Sequence, residues 1–263
     1  MHFKCHPLFL GGYKRSISAM GLGIAICGGL FLCTPTVVLS QCMPAQPASV
    51  LLSSGNCTDT GGERKSQIAG TPAIDVTAGE YTAEGVTVNN GFSSTPAVRV
   101  DGTGIINLTD GTTVTTTESH GYGIQVKGDG TVNATNTQIT TQGYGADAIL
   151  AEGNGATVTL RDVEILTSGT SARGMRVRDG ALAEGYNISI RTTEDDGNDA
   201  GSYGVWVEDG SEVTLVDSSV STETSDSSAV ENWGGTFVGK GVSLSAKGSG
   251  AYSSGVFVYG ERH

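Results

Sequence analysis

Carboxylates recur at regular intervals along this chain and are the first side chains to consider for chemistry. The set that falls near equivalent turns is Asp101, Asp129, Glu152, Asp179 and Asp209. Carboxylates repeated on neighbouring segments can bind calcium and, with it, acidic sugars. A simpler interpretation is turn chemistry, because Gly and Asp supply the left-handed backbone values of tight bends. We favour the turns and predict neither a metal site nor a cofactor.

A second acidic segment is "TEDDGNDAGS" at 193–202, in which four carboxylates fall within six residues. Oxygen-rich loops of this kind can hold calcium. The EF-hand order is not met, because Gly197 comes too early. The sequence therefore predicts an external acidic loop, with calcium binding as the alternative.

Nucleophilic catalysis has little support in the sequence. Serines are abundant, but His120 is the only histidine within the repeated region, and Glu118 is its only nearby acid. One histidine is a weak basis for a catalytic triad. No glycine run opens a helix, so no phosphate-binding loop is predicted either. We predict no catalytic residues and no enzymatic activity.

The regular spacing of these side chains comes from an internal repeat. A pattern of small, apolar, any, apolar residues can be placed eight times, with Asn232 as the one departure, and Ala or Gly fills the small position each time. The first apolar residues are Ile74, Val98, Ile124, Ile149, Met175, Val205, Val230 and Val256, which are 24, 26, 25, 26, 30, 25 and 26 residues apart. A fixed period of this length is typical of solenoid architectures.

The copies continue with a turn, which is Asp-Gly or Asn-Gly in five of them, and with further short alternating strands, as in "EVTL" at 212–215. One copy has too few inward residues to bury its apolar side, whereas stacked copies share a continuous core. The sequence predicts an all-β, right-handed parallel β-helix of about eight coils, with about 25 residues each. A β-propeller is the alternative, although its blades need about 40 residues or more.

One column of the repeat lies between the two apolar positions and should face solvent, because strand side chains alternate. It contains three apolar residues on different coils, Leu150, Trp206 and Phe257. Apolar side chains on a rigid exposed face can contact a partner or sugar rings. Isolated surface apolar residues are also normal. We predict these three as candidate surface contacts.

The N-terminus differs from the repeat and predicts a signal peptide over 1–40. Lys4, Lys14 and Arg15 precede an apolar run at 20–32, and "VLS" at 38–40 offers a cleavage site before Gln41. A transmembrane anchor is the alternative, but Thr34-Pro35 interrupts the apolar run. The predicted organisation is a signal peptide at 1–40, an N-terminal cap at 41–71 and the β-helix at 72–263.

Cleavage after residue 40 would leave two of the five cysteines, Cys42 and Cys57. In an exported protein this pair predicts one disulfide bond. A metal site is the alternative, but only His120 and His263 remain as histidines. The mature chain would keep 12 of 15 basic and all 27 acidic residues, so its charge is 12 − 27 = −15. Such an acidic chain lacks the excess of basic residues that nucleic-acid binding requires.

A signal peptide, a cysteine-containing cap and Gly/Thr/Val-rich coils together resemble the passenger domains of bacterial type V autotransporters, in particular pertactin-like passengers. The segment "GADAILAEGNGATVTLRDVEILTSG" at 145–169 carries the resemblance best. The resemblance implies export, passage through an outer-membrane translocator barrel, and display at the cell surface or release. It also implies an adhesin or display stalk that contacts host or cell-surface proteins or glycans.

No segment after the coils has the pattern of barrel strands. The chain would then be a truncated product, or a barrel encoded elsewhere would export it, and without any barrel it would stay periplasmic. A calcium-dependent β-helix polysaccharide lyase or hydrolase is the alternative function, because such enzymes place carboxylates and a basic residue on neighbouring coils.

Overall fold

A computed structural model of the chain describes residues 48–193, 201–248 and 253–259, all within one compact unit, Gln41–His263. The predicted signal peptide, Cys42 and the acidic residues at 194–199 lie outside the described residues. The described residues form strands joined by turns and contain no helix. Among them, no helix is long and apolar enough to cross a membrane.

The strands form three faces, and each coil contributes one strand to each face. The first face is a nine-stranded parallel sheet. It contains β1 (Val50–Leu52), β4 (Ile74–Val76), β7 (Val98–Val100), β10 (Ile124–Lys127), β12 (Ile149–Glu152), β14 (Met175–Arg178), β17 (Val205–Glu208), β20 (Val230–Trp233) and β23 (Val256–Tyr259).

The other two faces share one 14-stranded sheet, because β11 and β13 run across the corner between them. The second face contains β2 (Asn56–Thr60), β5 (Glu80–Glu84), β8 (Ile105–Thr109), the first halves of β11 (Thr131–Thr141) and β13 (Thr157–Thr167), β15 (Leu182–Tyr186), β18 (Glu212–Val216) and β21 (Thr236–Lys240). The third contains β3 (Glu63–Lys65), β6 (Thr87–Asn90), β9 (Thr113–Thr116), the second halves of β11 and β13, β16 (Ser189–Thr192), β19 (Ser219–Thr222) and β22 (Ser243–Ala246).

The repeat found in the sequence sets the register of the coils. Ile74 pairs with Val98, Val98 with Ile124, and the same column continues through Met175 to Val256. All of these pairings are parallel. The predicted all-β parallel solenoid of about eight turns, spaced by about 25 residues, is therefore confirmed.

The first coil lies inside the segment that the sequence analysis assigned to the cap. Val50 pairs with Ile74, Cys57 with Tyr81, and Arg64 with Val88, so this coil has a strand on each face. The repeat pattern did not extend to this coil because Ser49 stands where the other copies have Ala or Gly. The stacking thus begins earlier than residue 72.

The position of the repeat that holds only Ala or Gly has to be small, because it faces the inner side of the third face at close range. A Cβ atom on Gly204 would lie 2.2 Å from Cγ1 of Val220 and 2.6 Å from the carbonyl oxygen of Ala229. Ala73, Ala97 and Ala148 occupy the same column on other coils and are fully buried. A larger side chain would push the first and third faces apart.

The first coil contains a buried polar group. Arg64 is fully buried, and its Nε and Nη2 atoms donate to the Asp59 carboxylate at 2.5 and 3.0 Å. The Tyr81 hydroxyl donates to the same carboxylate at 2.7 Å. Burial, followed by the hydrogen bond to Asp59, raises the pKa of Tyr81. A charge pair of this kind is stable only when its hydrogen bonds are complete.

The close approach at Gly204 gives a stability prediction. Gly204→Ala should destabilise the protein by about 1–3 kcal/mol, because overpacking displaces neighbouring side chains. Gly91→Ala is the matched control, since no atom lies within 4 Å of the added Cβ, and it should change stability by less than about 0.5 kcal/mol. Urea unfolding followed by circular dichroism measures both. Equal midpoints for the two variants would contradict the packing argument.

The buried pair gives a second prediction. Asp59→Asn should destabilise by about 3–5 kcal/mol, because it leaves the Arg64 guanidinium buried without its counter-charge. Tyr81→Phe removes one hydrogen bond to a charged group and should cost about 1.5–3 kcal/mol. Thermal unfolding of both variants tests this order, and the reverse order would show that Arg64 has sufficient other partners.

Candidate contact surface on the first face

The outer side of the first face carries a second layer of side chains. Several outward residues are nearly inaccessible, with exposed fractions of 7 % for Asp75, 2 % for Leu150 and 4 % for Glu231. Leu150 is not part of the central core cluster. Its burial therefore comes from the outside, through the long side chains of its register neighbours Gln125 and Arg176. The predicted surface contact at Leu150 is wrong for this reason.

Three arginines stand side by side on one coil, and each has an acidic partner on a neighbouring coil. Arg173 lies 3.5 Å from Asp147, Arg176 lies 2.7 Å from Glu208, and Arg178 contacts Glu152. The parallel register explains the arrangement, because it places each outward residue beside its counterparts one coil away. The arginines are thus paired with carboxylates along the solenoid axis.

Burial and ion pairing together shift the pKa values of two of these carboxyl groups. Burial raises the pKa of Asp147, against the opposing charge of Arg173. Burial acts in the same direction on Glu152, but hydrogen bonds from Lys127 and Arg178 outweigh it, so the pKa of Glu152 is lowered. Both carboxylates are engaged by cations, which makes them structural partners.

Trp206 is the centre of this layer. The guanidinium carbons of Arg173 and Arg176 lie 4.3 and 4.6 Å from its ring centroid, within the range of cation–π contacts. Tyr203 meets the ring edge-on at 5.6 Å. Trp206 was predicted as a surface contact, and the structure shows it half-buried beneath charged groups. Among the described residues, its Nε1 atom and the Nε atom of Arg173 are buried donors without a hydrogen-bond partner.

A chain of rings continues from Trp206 towards the last described strand. Trp233 lies 6.2 Å from Trp206, and Tyr259 stacks on Trp233 at 4.5 Å with an interplanar angle of 11°. Trp233 is 41 % exposed and Tyr259 is 54 % exposed. Phe257, the third predicted contact, is half-buried beside Glu231 in the register. We define the contact surface as Arg173, Arg176, Tyr203, Trp206, Trp233 and Tyr259.

Trp233 and Tyr259 belong to a second outward column, which the predicted surface contacts did not include. Those contacts came from the first outward position of each strand, whereas alternation makes the residue two places later outward as well. In that column Glu208 pairs with Trp233, and Trp233 with Tyr259. Applying the alternation to the outward position two residues further along each strand would have found both aromatic residues.

Glu231 is the acidic residue that orders this ring chain. Its Oε1 atom accepts a hydrogen bond from Nε1 of Trp233 at 2.9 Å. Burial raises the pKa of Glu231, although the hydrogen bond from Trp233 opposes the shift. The carboxylate fixes the orientation of an exposed tryptophan, which is a positioning role.

The repeated turn carboxylates do not gather into a site. Asp101 accepts a hydrogen bond from the backbone nitrogen of Gly102 at 2.7 Å, and Asp179 has a positive φ of 58°. His120 contacts the ring of Tyr144 edge-on at 5.5 Å. Across 48–193, 201–248 and 253–259, no group of three His, Cys, Asp or Glu residues could hold a metal ion.

A groove of about 580 Å³ lies at the corner between the second and third faces. Its corner residues include Asp162, Asn187 and Asp217, whose positive φ values of 54°, 53° and 49° produce the bend. Asn187 donates a hydrogen bond to Asp162 at 2.6 Å. The groove is polar and acidic, and the Asn187–Asp162 bond joins two of its lining side chains.

Cys57 is disulfide-bonded. Its predicted partner, Cys42, lies outside the described residues, so the pairing stays a prediction. Such a bond would tie the first coil to the segment that precedes it.

No known protein family, curated protein or solved structure matches this chain.

Glu231 gives a pH-dependent prediction. Because its folded pKa is raised, the ionised side chain costs stability at neutral pH, and this cost disappears below the unfolded value of about 4.3. Glu231→Gln should therefore unfold at a higher temperature than the natural chain at pH 7, and the difference should shrink as the pH falls to about 4. Thermal unfolding at a series of pH values measures it.

Glu208→Gln is the control for this experiment. It removes the ion pair with Arg176 and should not raise the unfolding temperature at pH 7. A difference between Glu231→Gln and the natural chain that stays constant from pH 7 to 4 would contradict the assignment.

Proposed function

We propose that this chain is an exported, non-catalytic scaffold of the autotransporter-passenger type, acting as an adhesin or surface-display stalk. The observation that carries the proposal is the continuous parallel ladder of the first face, in which nine strands follow one another in register. A ladder of this kind is rigid along its axis, because each coil is bonded to both neighbours. Rigidity and regular length are the properties that a display stalk requires.

The surface chemistry fits the same role. With the signal peptide removed, a charge of 12 − 27 = −15 would keep the chain soluble outside the cell. The described carboxylates of the first face pair with arginines or accept hydrogen bonds, which is the use a structural surface makes of them. The exposed rings of the contact surface then supply the region for a host or cell-surface partner.

Export is part of the proposal. The signal peptide at 1–40 would direct the chain through the inner membrane, and an outer-membrane translocator barrel would carry it to the surface. Without such a barrel the chain would remain in the periplasm. The alternative, a calcium-dependent polysaccharide lyase or hydrolase, remains a hypothesis for which the described residues offer no assembled group of acids.

The proposal predicts a processed chain at the cell surface. In its bacterial host, the mature protein should begin at Gln41 and be degraded by protease added to intact cells. Edman sequencing and protease shaving measure these two outcomes, with a periplasmic enzyme as the control for intact cells. A mature chain that retains residues 1–40, or that stays in the cytoplasm, would contradict export.

Turnover assays test the proposal that the chain has no catalytic activity. The purified chain with millimolar calcium should release no products from polygalacturonate or from neutral polysaccharides. Calcium-dependent product release would instead establish the alternative.

A further inference from the structure

The rings of the contact surface, of which Trp233 and Tyr259 are exposed, are held in fixed positions before any partner arrives. Tyr203, Trp206, Trp233 and Tyr259 contact one another in sequence, at centroid distances of 5.6, 6.2 and 4.5 Å. Glu231 also bonds the indole nitrogen of Trp233. Packed side chains lose little conformational entropy when they bind, so a surface of this kind is preorganised. Trp, Tyr and Arg are also the residues that dominate binding energy at protein interfaces.

The ring geometry separates a protein partner from a glycan. A sugar ring stacks on a free aromatic face, but the guanidinium groups of Arg173 and Arg176 lie over the Trp206 ring. One face of Trp233 is covered by Tyr259, with nearly parallel planes. These covered faces are closed to a sugar ring, whereas the apolar side chains of a protein can pack against the parts of the rings that stay exposed.

The charges around the rings indicate which sign of charge the partner should carry at the rim of its binding surface. The arginines on the near side are neutralised by Asp147 and Glu208. Asp209 is exposed, and its carboxylate lies against Gly234, the residue after Trp233: a Cβ atom on Gly234 would be 1.8 Å from Oδ1 of Asp209. The whole chain carries a charge of −12. A basic partner would be attracted and an acidic partner repelled.

We propose that the contact surface binds a protein whose own surface has an apolar centre and a rim of lysine or arginine. This inference rests on the proposed display function only for its setting, since the purified chain carries the contact surface itself. Trp233 and Tyr259 are the central contacts, because they are the most exposed members of the ring chain.

The test selects ligands without assuming a partner. A random dodecapeptide library displayed on phage is panned against the purified mature chain, and selected peptides are resynthesised for titration. Tryptophan fluorescence reports binding, because the chain has only two tryptophans, Trp206 and Trp233, and both belong to the surface. The selected peptides should combine apolar with basic residues and should bind more weakly as salt is raised.

Single substitutions then locate the site. Trp233→Ala and Tyr259→Ala should each weaken peptide binding at least tenfold. Tyr144→Ala is the matched control, because Tyr144 is 53 % exposed, close to the 54 % of Tyr259, and lies outside the contact surface. It should leave binding unchanged. Circular dichroism of each variant shows that the fold is kept.

Four results would overturn the inference. They are no enriched peptide, enrichment of acidic peptides, equal weakening by Tyr144→Ala, and binding of cellohexaose or chitohexaose that Trp233→Ala abolishes. The protease-shaving assay on the natural chain is independent of these results. A chain that reaches the cell surface but selects no peptide would contradict this inference alone, whereas an unexported chain that selects basic peptides would contradict only the display function.

Discussion

The in-register pairing of each coil with the next is the constraint on which the other features depend. A residue on one strand lies beside its counterparts on the coils before and after it, as Val98 does between Ile74 and Ile124. The distance between neighbouring strands is about 4.8 Å, so every position becomes a column of side chains in contact. Inward columns must be apolar and of constant volume, and outward columns must alternate in charge or avoid charge.

The outer layer of the first face follows from this rule. Lys127, Glu152 and Arg178 succeed one another in one outward column with alternating sign. Like charges in direct register would repel each other, so the alternation is a requirement of the stacking. Where the same column passes to Trp233 and Tyr259, stacked rings replace ion pairs as the contact between coils. The contact surface is thus part of the cohesion of the solenoid.

Much of the fold could be predicted from the sequence, because a strand pattern that is ambiguous in one short segment becomes clear when it recurs in eight copies. The apolar column predicted the stacking of the coils, whereas the close approach of the first and third faces, which explains the Ala/Gly column, is seen only in the structure. The first coil was not predicted, because Ser49 departs from the repeat and because the inward position of its third strand holds Arg64 where an apolar residue is expected. Its burial depends on Asp59 and Tyr81, which only the coiled structure brings together.

The surface was harder to predict, because exposure depends on neighbours in space. Leu150 and Trp206 occupy equivalent outward positions, yet Leu150 is buried and Trp206 is half-buried beneath two arginines. The alternation of a strand tells which side a residue faces, but the lengths of the adjacent side chains decide whether solvent reaches it.

The same constraint explains how a solenoid can acquire a binding surface at little cost to its fold. The inward side chains of the first face, such as Val205 and Val230, carry the apolar core regardless of what lies on the outer side. Trp206 and Glu231 follow these valines and face outward. The residue type in this outward column can change from coil to coil, as the succession Arg176, Trp206, Glu231 and Phe257 shows. Specific chemistry can therefore be placed on any coil, provided that each new side chain suits the one above and the one below.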